Sequence, residues 1–282
     1  MLVTLVLAGC GTPTGHLLEY ADRSGYSYES IQADGFEHLV VKNYPFSDTD
    51  ILHIYLEGDG SPWRYRHVIM PDPTPRSPLM LKLMRLDKSP SAYVGRPCYN
   101  GTHDDAGCNN RLWTSARYSS TVVSSMSSTI HALIDRHKVK QVRLFGHSGG
   151  GALSMLLAAR LEGVTDVVTI AGNLDITAWT DHHRYTPLYS SLNPATQPPL
   201  DTSILQWHLV GSKDSVVPPE IVRPFIQSQS SAYGIAISSY SHSCCWGRVW
   251  NDVLFAVKFG KPGRLPGIRF KHPKGDRNVS VQ

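Results

Sequence analysis

Val142-Arg143-Leu144-Phe145-Gly146-His147-Ser148-Gly149-Gly150-Gly151-Ala152 begins as an apolar run, breaks at a glycine-flanked serine and resumes as helix formers. Val139 to Phe145 is rich in β-formers, whereas Ala152 to Leu161 is rich in Ala, Leu and Met, so the residue class switches at the serine. The stretch reads as a strand, a sharp turn and a helix, with Ser148 at the apex and small residues at Gly146 and Gly150 where backbone segments pass closely. A serine hydroxyl is a poor nucleophile unless a base takes its proton and nearby donors hold the developing oxyanion, and a strand-to-helix turn supplies the setting for both. Ser148 is the candidate nucleophile.

Working outward, strand-like and helix-like segments alternate. Tyr26 to Gln32 and Glu37 to Lys42 flank Ala33-Asp34-Gly35 and read as a hairpin, and Ile51 to Leu56 reads as a strand ending at Glu57-Gly58-Asp59-Gly60. After a Pro-rich loop come a helix near Ser77 to Leu86, a short strand at Ala92-Tyr93-Val94 and a helix over Ser119 to His137. Beyond the serine helix follow strands at Val164 to Ile170 and Ile204 to Val210, with an irregular stretch from Thr177 to Leu200 between them. A helix from Pro219, a strand over Gly234 to Tyr240 and a helix over Trp246 to Phe259 complete the series. This alternation predicts an α/β fold: a mostly parallel sheet with helices on both faces and an antiparallel N-terminal edge hairpin. In such sheets ligands meet the carboxyl ends of the strands.

Three further features fall at those ends. Gly211-Ser212-Lys213-Asp214 follows one strand, and Asp214 is the candidate acid, with Asp175 after the preceding strand as its rival. Ser241-His242-Ser243 lies at the last strand-to-helix junction, and His242 is the candidate base. Glu57-Gly58-Asp59-Gly60 follows the Ile51 to Leu56 strand, where the α/β-hydrolase fold that these features resemble builds half of its oxyanion hole, which implies the N–H of Asp59 as one donor and the N–H of Gly149 as the second. The Asp59 carboxylate must then face away from that oxyanion. Together these residues resemble a serine hydrolase of the α/β-hydrolase fold, because Ser148, Asp214 and His242 follow the chain order of that family. The resemblance covers about residues 26–259 and implies a triad in which Ser148 attacks an acyl carbonyl, His242 shuttles the proton and Asp214 holds His242. It implies ester cleavage without metal or organic cofactor, on a small-molecule or lipid ester. The same triad serves amidases and peptidases, and the fold can also act as a binding scaffold.

The N-terminus carries a second resemblance. Leu2 to Ala8 is apolar but too short to span a bilayer, and it runs into Leu7-Ala8-Gly9-Cys10, which resembles a bacterial lipoprotein signal lacking the usual preceding Lys or Arg. The implied organisation is a signal at 1–9, lipidation of Cys10, a linker at 10–25, the hydrolase domain at 26–259 with 176–202 as a candidate lid, and a basic tail at 260–282. Cys10 would tether the protein to a membrane of the cell envelope, facing the periplasm or exterior. Of the other cysteines, Cys98 and Cys108 close a small loop and are the favoured pair, while the adjacent Cys244 and Cys245 form a vicinal ring or stay reduced. A zinc site lacks any Cys-x-x-Cys spacing, and His103-Asp104-Asp105 and His182-His183 lack helical ligand spacing. With a net charge of +4 and 18% charged residues, the chain gives no argument for nucleic acid.

Overall fold

β-branched and aromatic residues dominate the strands, and their alternation decides which layer each side chain enters. In β3 (Ile51–Leu56), Leu52, Ile54 and Leu56 join one hydrophobic core, while Tyr55 joins the other. The structure, a computed structural model, describes residues 11–43, 49–65 and 67–273. The candidate lipidation site Cys10 lies outside the described residues.

Six parallel strands form the centre of a nine-stranded sheet: β6 (Ser91–Val94), β3, β7 (Gln141–His147), β8 (Val164–Ile170), β9 (Leu205–Gly211) and β10 (Ala232–Ile237), in that spatial order. At one edge β1 (Ser27–Ala33) and β2 (Phe36–Lys42) pair antiparallel through the two-residue turn Asp34-Gly35, where both residues have positive φ. At the other edge β11 (Ile268–Lys271) runs antiparallel to β10. One face is covered by α3 (Ser120–His137), α4 (Gly149–Ala158), α5 (Ile176–His183) and α6 (Pro219–Ser228). The opposite face is covered by α1 (Pro13–Arg23), α2 (Leu79–Met84) and α7 (Trp250–Phe259). A separate two-stranded ribbon, β4 (Trp63–Arg64) with β5 (Val68–Ile69), follows the β3 loop. Among the described residues no helix is long and apolar enough to cross a membrane.

Three segments differ from the sequence reading. The expected linker at 10–25 contains α1: Thr12 caps it by accepting from Gly15 N at 3.0 Å, Pro13 starts it, and Leu17 and Ala21 are buried. Local capping and two apolar residues one turn apart outweigh the polar character of that stretch. The irregular stretch after β8 contains α5, whose N-cap is Asp175, accepting from Thr177 N and Ala178 N. The expected tail from 260 onward includes β11, because the open edge of β10 offers a ladder of unpaired backbone groups.

Candidate active site

β7 ends at His147, and Ser148 stands alone between strand and helix with φ 53° and ψ −118°, a backbone conformation that non-glycine residues rarely adopt. Long-range backbone bonds hold it there: Ser148 N donates to Ile170 O at 3.0 Å, and Ser148 O accepts from Asn173 N at 3.0 Å and Gly151 N at 2.9 Å. The turn is tight enough that a Cβ on Gly146 would strike the Gly150 backbone, and one on Gly150 would strike the carbonyls of Leu56, at the end of β3, and of Glu57 after it. Ser148 is half-buried and stands at the N-terminus of α4, whose first amide belongs to Gly149.

β9 and β10, on the same side of β7, bring the other two residues together. Asp214 follows β9 and His242 follows β10, and the Nδ1–H of His242 donates to Asp214 Oδ2 at 2.9 Å. This tautomer leaves Nε2 as the lone-pair nitrogen. Asp214 is itself held, because its Oδ1 accepts from Val216 N at 2.8 Å and Val217 N at 2.9 Å. The carbonyl of Val216 accepts from Trp179 Nε1 at 2.7 Å and from His183 Nε2 at 2.8 Å, so α5 clamps the acid loop from outside. Asp175 is committed elsewhere, as the cap of α5 and the acceptor of Asn193 Nδ2 at 3.0 Å. Ser148 Oγ makes no hydrogen bond to His242 Nε2 here; in free hydrolases this contact is often long and tightens when substrate binds.

The loop after β3 lies beside the elbow because β3 and β7 are paired neighbours. The N–H groups of Asp59 and Gly149 donate no backbone hydrogen bond, which leaves both available to an oxyanion. The Asp59 carboxylate is enclosed by partners that were not singled out from sequence: Arg96 Nη1 at 2.6 Å, Arg117 Nη1 at 3.0 Å and the Tyr118 hydroxyl at 2.6 Å. Tyr99 OH donates to the Asp59 carbonyl at 3.1 Å, so both ends of the residue are tied. Burial by itself raises the carboxyl pKa, yet the charges of Arg117 and Arg96 and the Tyr118 hydrogen bond outweigh it and hold the group well below the usual carboxylate range. The negative charge is thus answered by two guanidiniums. The same carboxylate fills the space where a Cβ on residue 149 would sit, which demands glycine there.

His147, beside the nucleophile candidate, has a defined partner in the site. Its ring packs 4.7 Å from that of His242, and its Nε2–H donates to the His242 carbonyl at 2.9 Å. Its Nδ1 faces Glu57 Oε1 at 3.8 Å, and Glu57 in turn accepts from Met80 N at 2.9 Å. The His242 carbonyl also accepts from Trp246 Nε1 at 3.0 Å. Of the cysteines, Cys98 and Cys108 have sulfurs 2.07 Å apart, and Cys244 and Cys245 form a vicinal pair two residues beyond His242. Arg96 lies two residues past the apolar strand Ala92-Tyr93-Val94, and its sequence context marks neither its burial nor the acid that it meets.

Comparison with known proteins supports this description of the fold. Residues 90–171, which include β6, α3, β7, the elbow, α4 and β8, match the family of class 3 lipases. No curated protein sequence is detectably similar to the chain. Among solved structures, the chain is similar to an esterase of Pyrococcus furiosus, with a TM-score of 0.59 and 10% identity over 86% of this chain and 95% of that one. It is also similar to an α/β serine hydrolase of Xanthomonas campestris described as lacking a lid, with a TM-score of 0.53 and 14% identity over 86% and 96% of the two chains. A third similar structure, puromycin hydrolase, gives a TM-score of 0.59 and 16% identity over 86% of this chain, which spans only 41% of that longer one. With the fold shared along most of its length, the chain has the α/β-hydrolase fold, and the stretch similar to class 3 lipases falls on the strand, turn and helix around Ser148.

Proposed function

We propose that the protein is an esterase or lipase-like hydrolase that cleaves a carboxylic ester, of a lipid or of another small alcohol, through Ser148, His242 and Asp214. The observation that carries the reading is the 2.9 Å bond from His242 Nδ1 to Asp214 Oδ2 at the carboxyl end of the sheet, which also holds the strained elbow at Ser148. In this reading His242 Nε2 takes the proton of Ser148 as Oγ attacks the acyl carbon, and the oxyanion forms facing the N–H groups of Asp59 and Gly149. His242 returns the proton to the departing alkoxide, leaving an acyl-serine. A water deprotonated by His242 then releases the acid and restores Ser148. Similarity to class 3 lipases and to an esterase supports an ester over an amide substrate.

A fluorophosphonate probe tests the nucleophile: the parent protein labels at Ser148 and Ser148→Ala does not. Labelling that persists in the variant, or a folded parent that does not label, overturns the reading. A panel of nitrophenyl esters and matched anilides then separates ester from amide cleavage, with faster turnover of the esters expected. The run Leu7-Ala8-Gly9-Cys10 supports a lipid-anchored form in the cell envelope. Cys10→Ser is expected to move the protein from the membrane fraction to the soluble one, and unchanged partitioning overturns the anchor.

A further inference from the structure

Outside the catalytic cluster, the outer face of α7 carries a combination that the hydrolase chemistry does not use. Val253, Ala256 and Val257 are buried against the sheet, and one turn round the helix Phe255 and Phe259 are 53% and 55% exposed. Their rings lie 4.5 Å apart, and Lys258 Nζ stands 5.7 Å from the centre of the Phe259 ring. After the left-handed cap at Gly260 the chain turns back onto the pair, because a Cβ on Gly263 would come within 3.3 Å of the Phe255 ring. That turn brings the exposed Lys261 and Arg264 alongside, and Arg269 of β11 reaches it through a 3.5 Å bond to Gly263 O. Over residues 250–273 five lysines and arginines face one acid, Asp252, so this short segment carries an excess equal to the whole chain's +4.

We propose that this face docks on an anionic phospholipid surface. Two half-exposed phenylalanines on one helix face leave apolar area in water, and the cost is recovered where that area enters the boundary between headgroups and acyl chains. Lysine and arginine around the rim meet lipid phosphates, and the stem of Lys258 lies along an aromatic ring while its ammonium points outward. A soluble polyanion answers the basic residues but leaves the phenylalanines unexplained. The surface is separate from Ser148 and does not depend on the proposed reaction.

The test is co-sedimentation of the full chain, and of its Cys10→Ser form, with phosphatidylcholine vesicles made with and without phosphatidylglycerol. An acyl anchor or the apolar N-terminus partitions into both kinds of vesicle, whereas the α7 face discriminates by charge. Binding to the anionic vesicles is expected to exceed binding to the neutral ones by about a hundredfold and to fall with added salt. Lys258→Glu/Lys261→Glu/Arg264→Glu should erase that preference, and Phe255→Ala/Phe259→Ala should lower anionic-vesicle binding about tenfold with an unchanged circular dichroism spectrum. Equal binding to both vesicles, or variants that bind like the parent, overturns the proposal. So does equal binding to polyglutamate or duplex DNA that is insensitive to loss of the two phenylalanines, which would make the face a general polyanion site.

Discussion

The elbow at Ser148 and the loop at Asp59 sit at the ends of neighbouring strands, yet they are held by different means. The elbow is a backbone construction: its φ of 53° is maintained by main-chain bonds to Ile170, Asn173 and Gly151 and by glycines that let segments pass. The loop is a side-chain construction, in which Arg96, Arg117, Tyr118 and Tyr99 converge on one aspartate from segments far along the chain. Asp214 and His242 follow the pattern of the loop, since the loop of Asp214 is held by α5 and His242 by His147 and Trp246. The unusual dihedrals of the elbow belong to one residue and are held by main-chain bonds from β8 and the loop after it, whereas the parts around it are held mainly through side chains.

Asp214→Asn, Asp59→Asn and His147→Phe probe that difference, in descending order of effect, with Asp175→Asn as a control. Asp214→Asn keeps the shape of the acid loop but lets His242 adopt the wrong tautomer, and kcat is expected to fall by about 10³ or more, while Asp175→Asn changes it by no more than a few-fold. Steady-state kinetics on a short-chain ester reads both, and the reverse ranking would move the acid to Asp175.

Asp59→Asn removes the charge that two buried arginines answer. Its expected cost is about 10² in kcat, through misplacement of one oxyanion donor, and about 3 kcal/mol or more in stability, through the uncompensated guanidiniums. Urea unfolding and kinetics separate the two, and a loss of stability with an unchanged kcat would take Asp59 out of the oxyanion site. The same residue sets an acid limit. Its folded pKa lies below its unfolded value, so its contribution is present above about pH 4, the ordinary carboxylate value, and is lost as the pH falls toward the depressed one. The acid slope of stability below about pH 4 should therefore be shallower in Asp59→Asn than in the parent.

His147→Phe retains a ring against His242 but removes the donor to its carbonyl. A roughly tenfold fall in kcat with unchanged KM is expected, because the base is loosened while the binding surface is kept. If KM rises instead, His147 touches substrate and is more than a positioning residue.

Legibility followed the same division. The order of strands and helices, the hairpin turn at Asp34-Gly35 and the position of Ser148 at a strand-to-helix break depend on short-range periodicity and could be read directly. The candidate positions of Asp214 and His242 were readable as strand-end loops in the chain order of α/β-hydrolases, and that resemblance implied their contact, whereas the groups that hold them, the Val216 and Val217 amides, His147 and Trp246, left no local signal. α1 and α5 were missed because their stabilising features, a capping Thr12 and a capping Asp175, are single residues that serve equally well in turns. The Asp59 clamp was missed because Arg96 and Arg117 are far from it in sequence, and no local pattern records which acid a buried arginine will meet.

What the sequence by itself determined is the alternation that builds a parallel sheet and the glycine-flanked serine that must leave it sharply, since both rest on residues within a turn or two of each other. What only the tertiary structure decided is the set of partners at the carboxyl end of the sheet: the Val216 and Val217 amides with Asp214, His147 with the His242 carbonyl, and Asp59 with two arginines. The physical reason is burial. In water these groups are satisfied by solvent and make no choice of partner, and only when the strands bring them together away from water does each unpaired donor or charge become costly enough to select the one that answers it.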